Sequence, residues 1–128
     1  MNAELFYRAF LDQDERALAD VLDRDALLII RGDSALTGDH RGPDGILELR
    51  RLIDRLTDAT WRPLHPDSFD IAASEHHAVI MDRYIAERGA RKLDSHEALV
   101  VAPGSGAPIR HLFHYVHDPG AHAAFWSR

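Results

Sequence analysis

The hydrophobic pattern of this chain changes period near Thr60, and that change limits the fold more than any single motif. Before it, apolar residues recur at helical spacing: Leu5, Phe6, Ala9 and Phe10, then Ala17, Leu18, Val21 and Leu22. Gln13-Asp14 separates the two runs, with Asp14 placed to cap the second. The continuous apolar run Ala26–Ile30 is short enough for a buried strand. Arg31 to Gly42 carries three glycines and reads as a loop. Pro43 then opens a third helix, with Ile46, Leu49, Ile53 and Leu56 on one face.

After Thr60 the chain reads as strands. Trp61–Ala73 is broken by Pro63 and Pro66, which marks an edge or irregular strand. His77–Glu87 turns at Arg88-Gly89 into Lys92–Ala102, and a looser Pro/Gly turn leads to Ile109–His117. Asp118-Pro119 starts a short C-terminal helix, Asp as N-cap and Pro at the first helical position. Helices segregated from strands predict an α+β fold: a curved antiparallel sheet against three N-terminal helices, with a short C-terminal helix. At 128 residues the chain is one domain, residues 1–128.

Composition removes several function classes. No cysteine is present, so disulfides, thiolate nucleophiles and cysteine zinc sites are excluded, and a cytoplasmic location is the expectation. A net charge of -6 argues against nucleic-acid binding, which needs a basic surface. No apolar run approaches the ~20 residues of a membrane span. His111-x-x-His114-x-x-His117 lies on a strand, where alternation puts His114 on the opposite face from the other two. That spacing therefore predicts no metal site. No nucleophile elbow, phosphate loop or dinucleotide fingerprint occurs, and no cofactor is expected.

The loop Arg31-Gly-Asp-Ser-Ala-Leu-Thr-Gly-Asp-His-Arg-Gly42 resembles the SnoaL-like branch of the nuclear transport factor and ketosteroid isomerase superfamily. So do the hairpin Ala86–Asp94 and the terminal Asp118…Ala124-Phe-Trp126. The resemblance spans roughly Glu4 to Trp126. It implies a cone-shaped α+β barrel with a pocket between helices and sheet, in a superfamily of isomerases, cyclases, dehydratases, epoxide hydrolases and non-catalytic binders. Carried over from ketosteroid isomerase, the general-base aspartate falls on Asp33. The helix-one tyrosine falls on Phe6 and the oxyanion aspartate on Leu99. Phe and Leu donate no hydrogen bond to an enolate, so steroid isomerisation by that mechanism is disfavoured. Tyr7 is expected to point about 100° away from Phe6 around the helix.

If Arg88-Gly89 is a two-residue turn, 82 pairs with 95, and strand alternation sorts the side chains. The resemblance places Asp82, Tyr84, Glu97, Leu99, Arg110, Leu112 and His114 on the concave face. Met81, Arg83, Ile85, His96, Val100, Phe113 and Tyr115 fall on a convex face apolar enough to suggest a homodimer. In the family register Glu97 and His114 are opposite each other, close enough for a carboxylate to hold an imidazole. The pair reads as a catalytic acid–base or as a structural hydrogen bond. Asp33 reads as a base entering from the loop or as a turn-capping residue. Asp82 and Tyr84 bond to each other or to the first helix.

The expected function is proton transfer (isomerisation, cyclisation or dehydration) on a small apolar carbonyl compound, of which a polyketide-like intermediate is one case. Asp33, Glu97 and His114 would be catalytic. Phe6, Phe10, Asp82, Tyr84, Leu99, Arg110 and Leu112 would bind substrate. The alternative is a non-catalytic module for hydrophobic ligand binding or dimerisation.

Overall fold

The computed structural model describes residues 2–66 and 68–128. Three helices and two strands come first: α1 (Asn2–Asp12), α2 (Glu15–Val21), β1 (Leu22–Ile30), β2 (Gly38–Arg41) and α3 (Gly42–Thr57). The remaining strands are β3 (Arg62–Pro63), β4 (Phe69–Ala73), β5 (Ala78–Arg88), β6 (Arg91–Ala102) and β7 (Ile109–Val116), closed by α4 (Pro119–Phe125). One curved sheet runs β2-β1-β7-β6-β5, with β3 and β4 both pairing to β5. It is antiparallel except where β1 meets β7 in parallel, so the sheet is mixed. This is the α+β arrangement of helices over a curved sheet. No described helix is long and apolar enough to cross a membrane.

Local signals set the helix ends. Asp14 accepts from the Ala17 N–H to cap α2, and Asp118 accepts from the Ala121 N–H to cap α4. Pro43 sits in the first turn of α3. Before it, Gly42 adopts φ +70°, and a Cβ there would lie 2.8 Å from the Arg24 carbonyl oxygen. Only glycine lets β1 and α3 approach this closely. Part of the segment read as loop is instead β2, an edge strand that pairs Leu27 with Arg41 and Ile30 with Gly38. The segment read as one irregular strand from Trp61 becomes two pieces, β3 and β4. The prolines Pro63 and Pro66 account for the break between them.

The β5–β6 hairpin turns at Gly89-Ala90, one residue later than expected, with Gly89 at φ +61°. Asp82 therefore faces Glu97 rather than Ser95. Between β6 and β7, Leu99 faces His114 and Glu97 faces Val116. Both registers sit two residues from expectation. A two-residue shift preserves side-chain parity, which is why the concave and convex assignments on β5 and β6 survive it.

The core lies between the concave face and the helices. Phe6, Leu18, Ile46, Ile80, Val101, Leu112 and Trp126 are at most 1% exposed. Trp126, just past α4, is tied back by its carbonyl, which accepts from the Ala35 N–H. Among the described residues no element covers the convex face, where Met81 is 48% and Tyr115 57% exposed. Arg83 and Asp94 form a bidentate pair there at 2.7 and 2.9 Å.

Replacing Gly42 with alanine should lower stability by about 1–3 kcal/mol, from positive-φ strain plus the backbone clash. Urea denaturation reads this directly. An unchanged midpoint would show that β1 and α3 can separate without loss.

Candidate active site

A cavity of about 80 Å³ lies between the concave sheet and the helices. Its wall is mostly aromatic and aliphatic, including Phe6, Phe10, Leu36, Ile53, Trp61 and Leu99. Tyr7, Asp82, Tyr84, Glu97 and His114 also line it. Asp82, Glu97 and Ala98 also border an open groove lined largely by convex-face residues, Met81, Arg83, His96 and Tyr115 among them.

Two hydrogen-bonded pairs face this cavity. In the first, the Tyr7 hydroxyl donates to Asp82 Oδ2 at 2.6 Å. Tyr7 is 5% exposed and packs on Phe69 with ring centroids 4.8 Å apart. The expectation that Tyr7 points away from the site is corrected here. The inward stripe of α1 is Ala3, Phe6, Tyr7 and Phe10, an i, i+3, i+4, i+7 set, whereas Leu5 is 52% exposed. Phe6 and Tyr7 stand about 100° apart around the helix, and an inward face this wide holds both, which is why the angular argument against Tyr7 fails. Asp82 thus bonds to the first helix, one of its two expected partners.

In the second pair, His114 Nε2 lies 2.5 Å from Glu97 Oε1. Ser95 donates to Glu97 Oε2 at 2.8 Å. The pair forms diagonally across β6 and β7 rather than between opposed residues, because long side chains span the diagonal neighbour distance. Trp126 Nε1–H donates to the Tyr84 hydroxyl at 3.2 Å, leaving the Tyr84 proton for Glu97.

Burial pushes the Asp82 carboxyl up to about 6; the neighbouring Glu97 adds to the shift, and the Tyr7 hydrogen bond partly offsets it. Burial alone would raise Glu97 too. Hydrogen bonds from His114 and Tyr84 reverse the sign and hold it below the usual carboxylate range. Glu97 is therefore ionised, and His114 Nε2–H is the donor in their bond. Burial raises both tyrosines, Tyr7 beside Asp82 and Tyr84 beside Glu97, so each keeps its proton. Burial lowers His122, which is neutral.

Other expected site residues stand elsewhere. The Asp33 side chain is 89% exposed and accepts from Arg128 Nη1 at 2.6 Å. After the positive-φ turn at Gly32 the inward positions go to Ser34 and Leu36, 3% and 4% exposed, which leaves Asp33 outside. Arg110 is exposed too and borders a surface groove with His76 and Pro103. It follows Ile109, fully buried against Leu22 ahead of an irregularity in the β1–β7 pairing, so parity breaks at the start of β7. Leu112 is buried in the core and is not part of the cavity wall.

Sequence reasoning missed Tyr7 and His122. His122 Nε2 lies 3.8 Å from Glu97 Oε2, and its ring centroid is 5.5 Å from that of His114. Its signal was present: His122, Phe125 and Trp126 form an i, i+3, i+4 stripe behind the Asp118 cap. His111 and His117 are exposed, away from His114.

No family model and no curated protein matches the chain. Among solved structures, Bal32a from a soil-derived mobile gene cassette superposes with TM-score 0.82 at 25% identity, over 98% of this chain and 95% of that one. An NTF2-like protein from Burkholderia xenovorans gives TM-score 0.78 at 18% identity over 98% and 95%. A ketosteroid isomerase-like fold from Catenulispora acidiphila, in complex with trimethylamine, gives 0.69 at 13% over 98% and 91%. Further matches are provisional polyketide cyclases.

The Asp82 shift has a stability consequence. Its folded-state value lies above the ordinary carboxylate value, so the folded protein is penalised where Asp82 is ionised, above about pH 6, and not where it is protonated in both states, below about pH 4. Asp82→Asn should therefore raise stability on the order of 2 kcal/mol at pH 8 and by little at pH 4. Paired urea titrations at the two pH values check the sign; a destabilised variant at pH 8 would mean the carboxylate is held favourably. Fold and neighbours agree with the residues of the loop, hairpin and terminal helix: the chain has the NTF2-like, ketosteroid isomerase-like fold.

Proposed function

We propose that the chain is an acid–base enzyme that moves a proton on a compact, largely apolar carbonyl compound, its own side chains supplying acid and base. One observation carries this reading: two hydrogen-bonded acid–base pairs, Tyr7–Asp82 and His114–Glu97, face the same apolar cavity. Their carboxyl groups are opposed across β5 and β6 and are pushed in opposite directions, the arrangement that separates acid from base within one site.

Asp82 takes the role first expected of Asp33. A carboxylate whose affinity for protons is raised by burial is a better base towards carbon than a solvated one. Tyr7 fixes its orientation. Tyr84, held by the Trp126 N–H, is the donor for charge developing on the carbonyl oxygen when its proton turns from Glu97 to the guest, while His114, whose Nε2 proton goes to Glu97, keeps Nδ1 as an acceptor. The Tyr84 hydroxyl supplies what Phe6 and Leu99 cannot. The fold is shared with provisional polyketide cyclases and with a protein that binds trimethylamine, which supports a small-molecule site without naming the guest.

Size narrows the guest. A cavity of about 80 Å³ is smaller than the ~150 Å³ that holds benzene, so a few heavy atoms fit and a steroid or multi-ring polyketide requires the wall to move. A second reading, a binder without chemistry, draws on the absence of unsatisfied buried side-chain polar atoms among the described residues. The convex face, with Met81 and Tyr115 exposed, is the surface through which two copies would pair.

The test is α-proton exchange in D2O, followed by proton NMR across a panel of small ketones and aldehydes. Wild-type protein should exceed Asp82→Asn on the order of 100-fold on at least one compound, with Glu97→Gln also impaired. Saturable binding without exchange would favour the binder; exchange unaffected by either substitution would end the enzymatic reading. Separately, Tyr115→Glu should shift the protein from dimer to monomer in light scattering. A wild-type monomer at all concentrations removes the dimer.

A further inference from the structure

Glu97, His114 and His122 come from three elements, β6, β7 and α4, and their ligating atoms all lie within 4.8 Å of one another. All three side chains are largely buried, at 8%, 17% and 9% exposure. We propose that this trio is a binding site for a divalent transition-metal cation of the zinc class.

The donor set is two imidazoles and one carboxylate, a combination that binds zinc with a position left open. A tetrahedral ion with bonds of ~2.1 Å holds its ligand atoms ~3.4 Å apart. The spacings here, 2.5 Å from His114 Nε2 to Glu97 Oε1 and 3.8 Å from His122 Nε2 to Glu97 Oε2, lie on either side of that value. With one ligating atom from each residue the trio spans up to 4.8 Å, so side-chain movements of about 1 Å draw it to that value. His114 and His122 also border an outer cleft beside Pro119, which gives a cation a route that avoids the apolar cavity. Glu97 and His114 border that cavity, so the open position faces it.

The cation takes the place of the proton between His114 and Glu97; that proton passes to His114 Nδ1 or to solvent. Ser95 keeps its hydrogen bond to Glu97 and serves as the outer support that orients a metal-bound carboxylate. The inference stands apart from the proposed acid–base function, because exchange measured on chelator-treated protein tests that function without any metal.

The experiment is calorimetric titration of the chelator-treated full-length protein with zinc chloride, and optical titration with cobalt chloride. One cation per chain is expected, with a dissociation constant in the micromolar range or below and the intense visible bands of low-coordinate cobalt. His122→Asn and Glu97→Gln should each weaken binding on the order of 100-fold, while the exposed pair His111→Asn with His117→Asn should leave it unchanged. No binding to wild type overturns the proposal, and so does binding lost only in the His111 and His117 variant, which would be surface chelation. Should His122→Asn fail to fold by circular dichroism, the imidazole nitrogen spectra of wild type decide. Zinc must shift Nε2 of both His114 and His122, and unmoved resonances overturn the site.

Discussion

Burial of the Glu97 carboxylate is the constraint around which the concave side of this molecule is arranged. Moving such a group out of water costs several kcal/mol unless its oxygens are satisfied by well-placed donors. Satisfaction here draws on every neighbouring element. Ser95 donates from the same strand, His114 from β7, and Tyr84 on β5 lowers its proton affinity further. The strand order β7-β6-β5 is what brings those donors to one carboxylate. α4 completes the enclosure by laying His122 and Trp126 over it, and Trp126 in turn holds Tyr84. The C-terminal helix is thus part of the site and not a trailing element.

How much of this the sequence disclosed follows from which features are periodic. Alternation along β5 and β6 is a period-two property, and it placed Asp82, Tyr84, Glu97 and Leu99 inward even though the hairpin turned a residue late. The Glu97–His114 contact survived a register error for the same reason, helped by the reach of a glutamate. Non-periodic backbone was less readable. Asp33 follows a glycine at positive φ, and no pattern in the residues says which way the chain leaves that turn. Arg110 sits where Ile109 and Leu112, three apart, are both fully buried, so simple alternation fails there.

Tyr7 failed for a different reason. Its angle of about 100° from Phe6 excludes it only if the buried stripe is narrow, and here the stripe is wide enough for both. The sheet buries Tyr7 because its hydroxyl meets Asp82 and its ring meets Phe69, contacts that depend on residues far along the chain. An amphipathic side chain reads as either face until its polar partner is known. Pairing Tyr7 with the inward Asp82 of β5 would have recovered it.

The two carboxyl groups in the cavity wall bear on which guests that cavity favours. Asp82 and Glu97 both line the enclosed cavity, so a guest seated there meets both. An anionic guest meets ionised Glu97 and, above about pH 6, ionised Asp82, whereas a neutral guest pays little and strips water from Asp82 as it seats. Stripping that water raises the carboxylate's affinity for a proton further, because burial is already the larger cause of its shift. On the proposed function, filling the cavity would therefore strengthen Asp82 as a base, tying recognition of an uncharged compound to the moment at which a proton is taken.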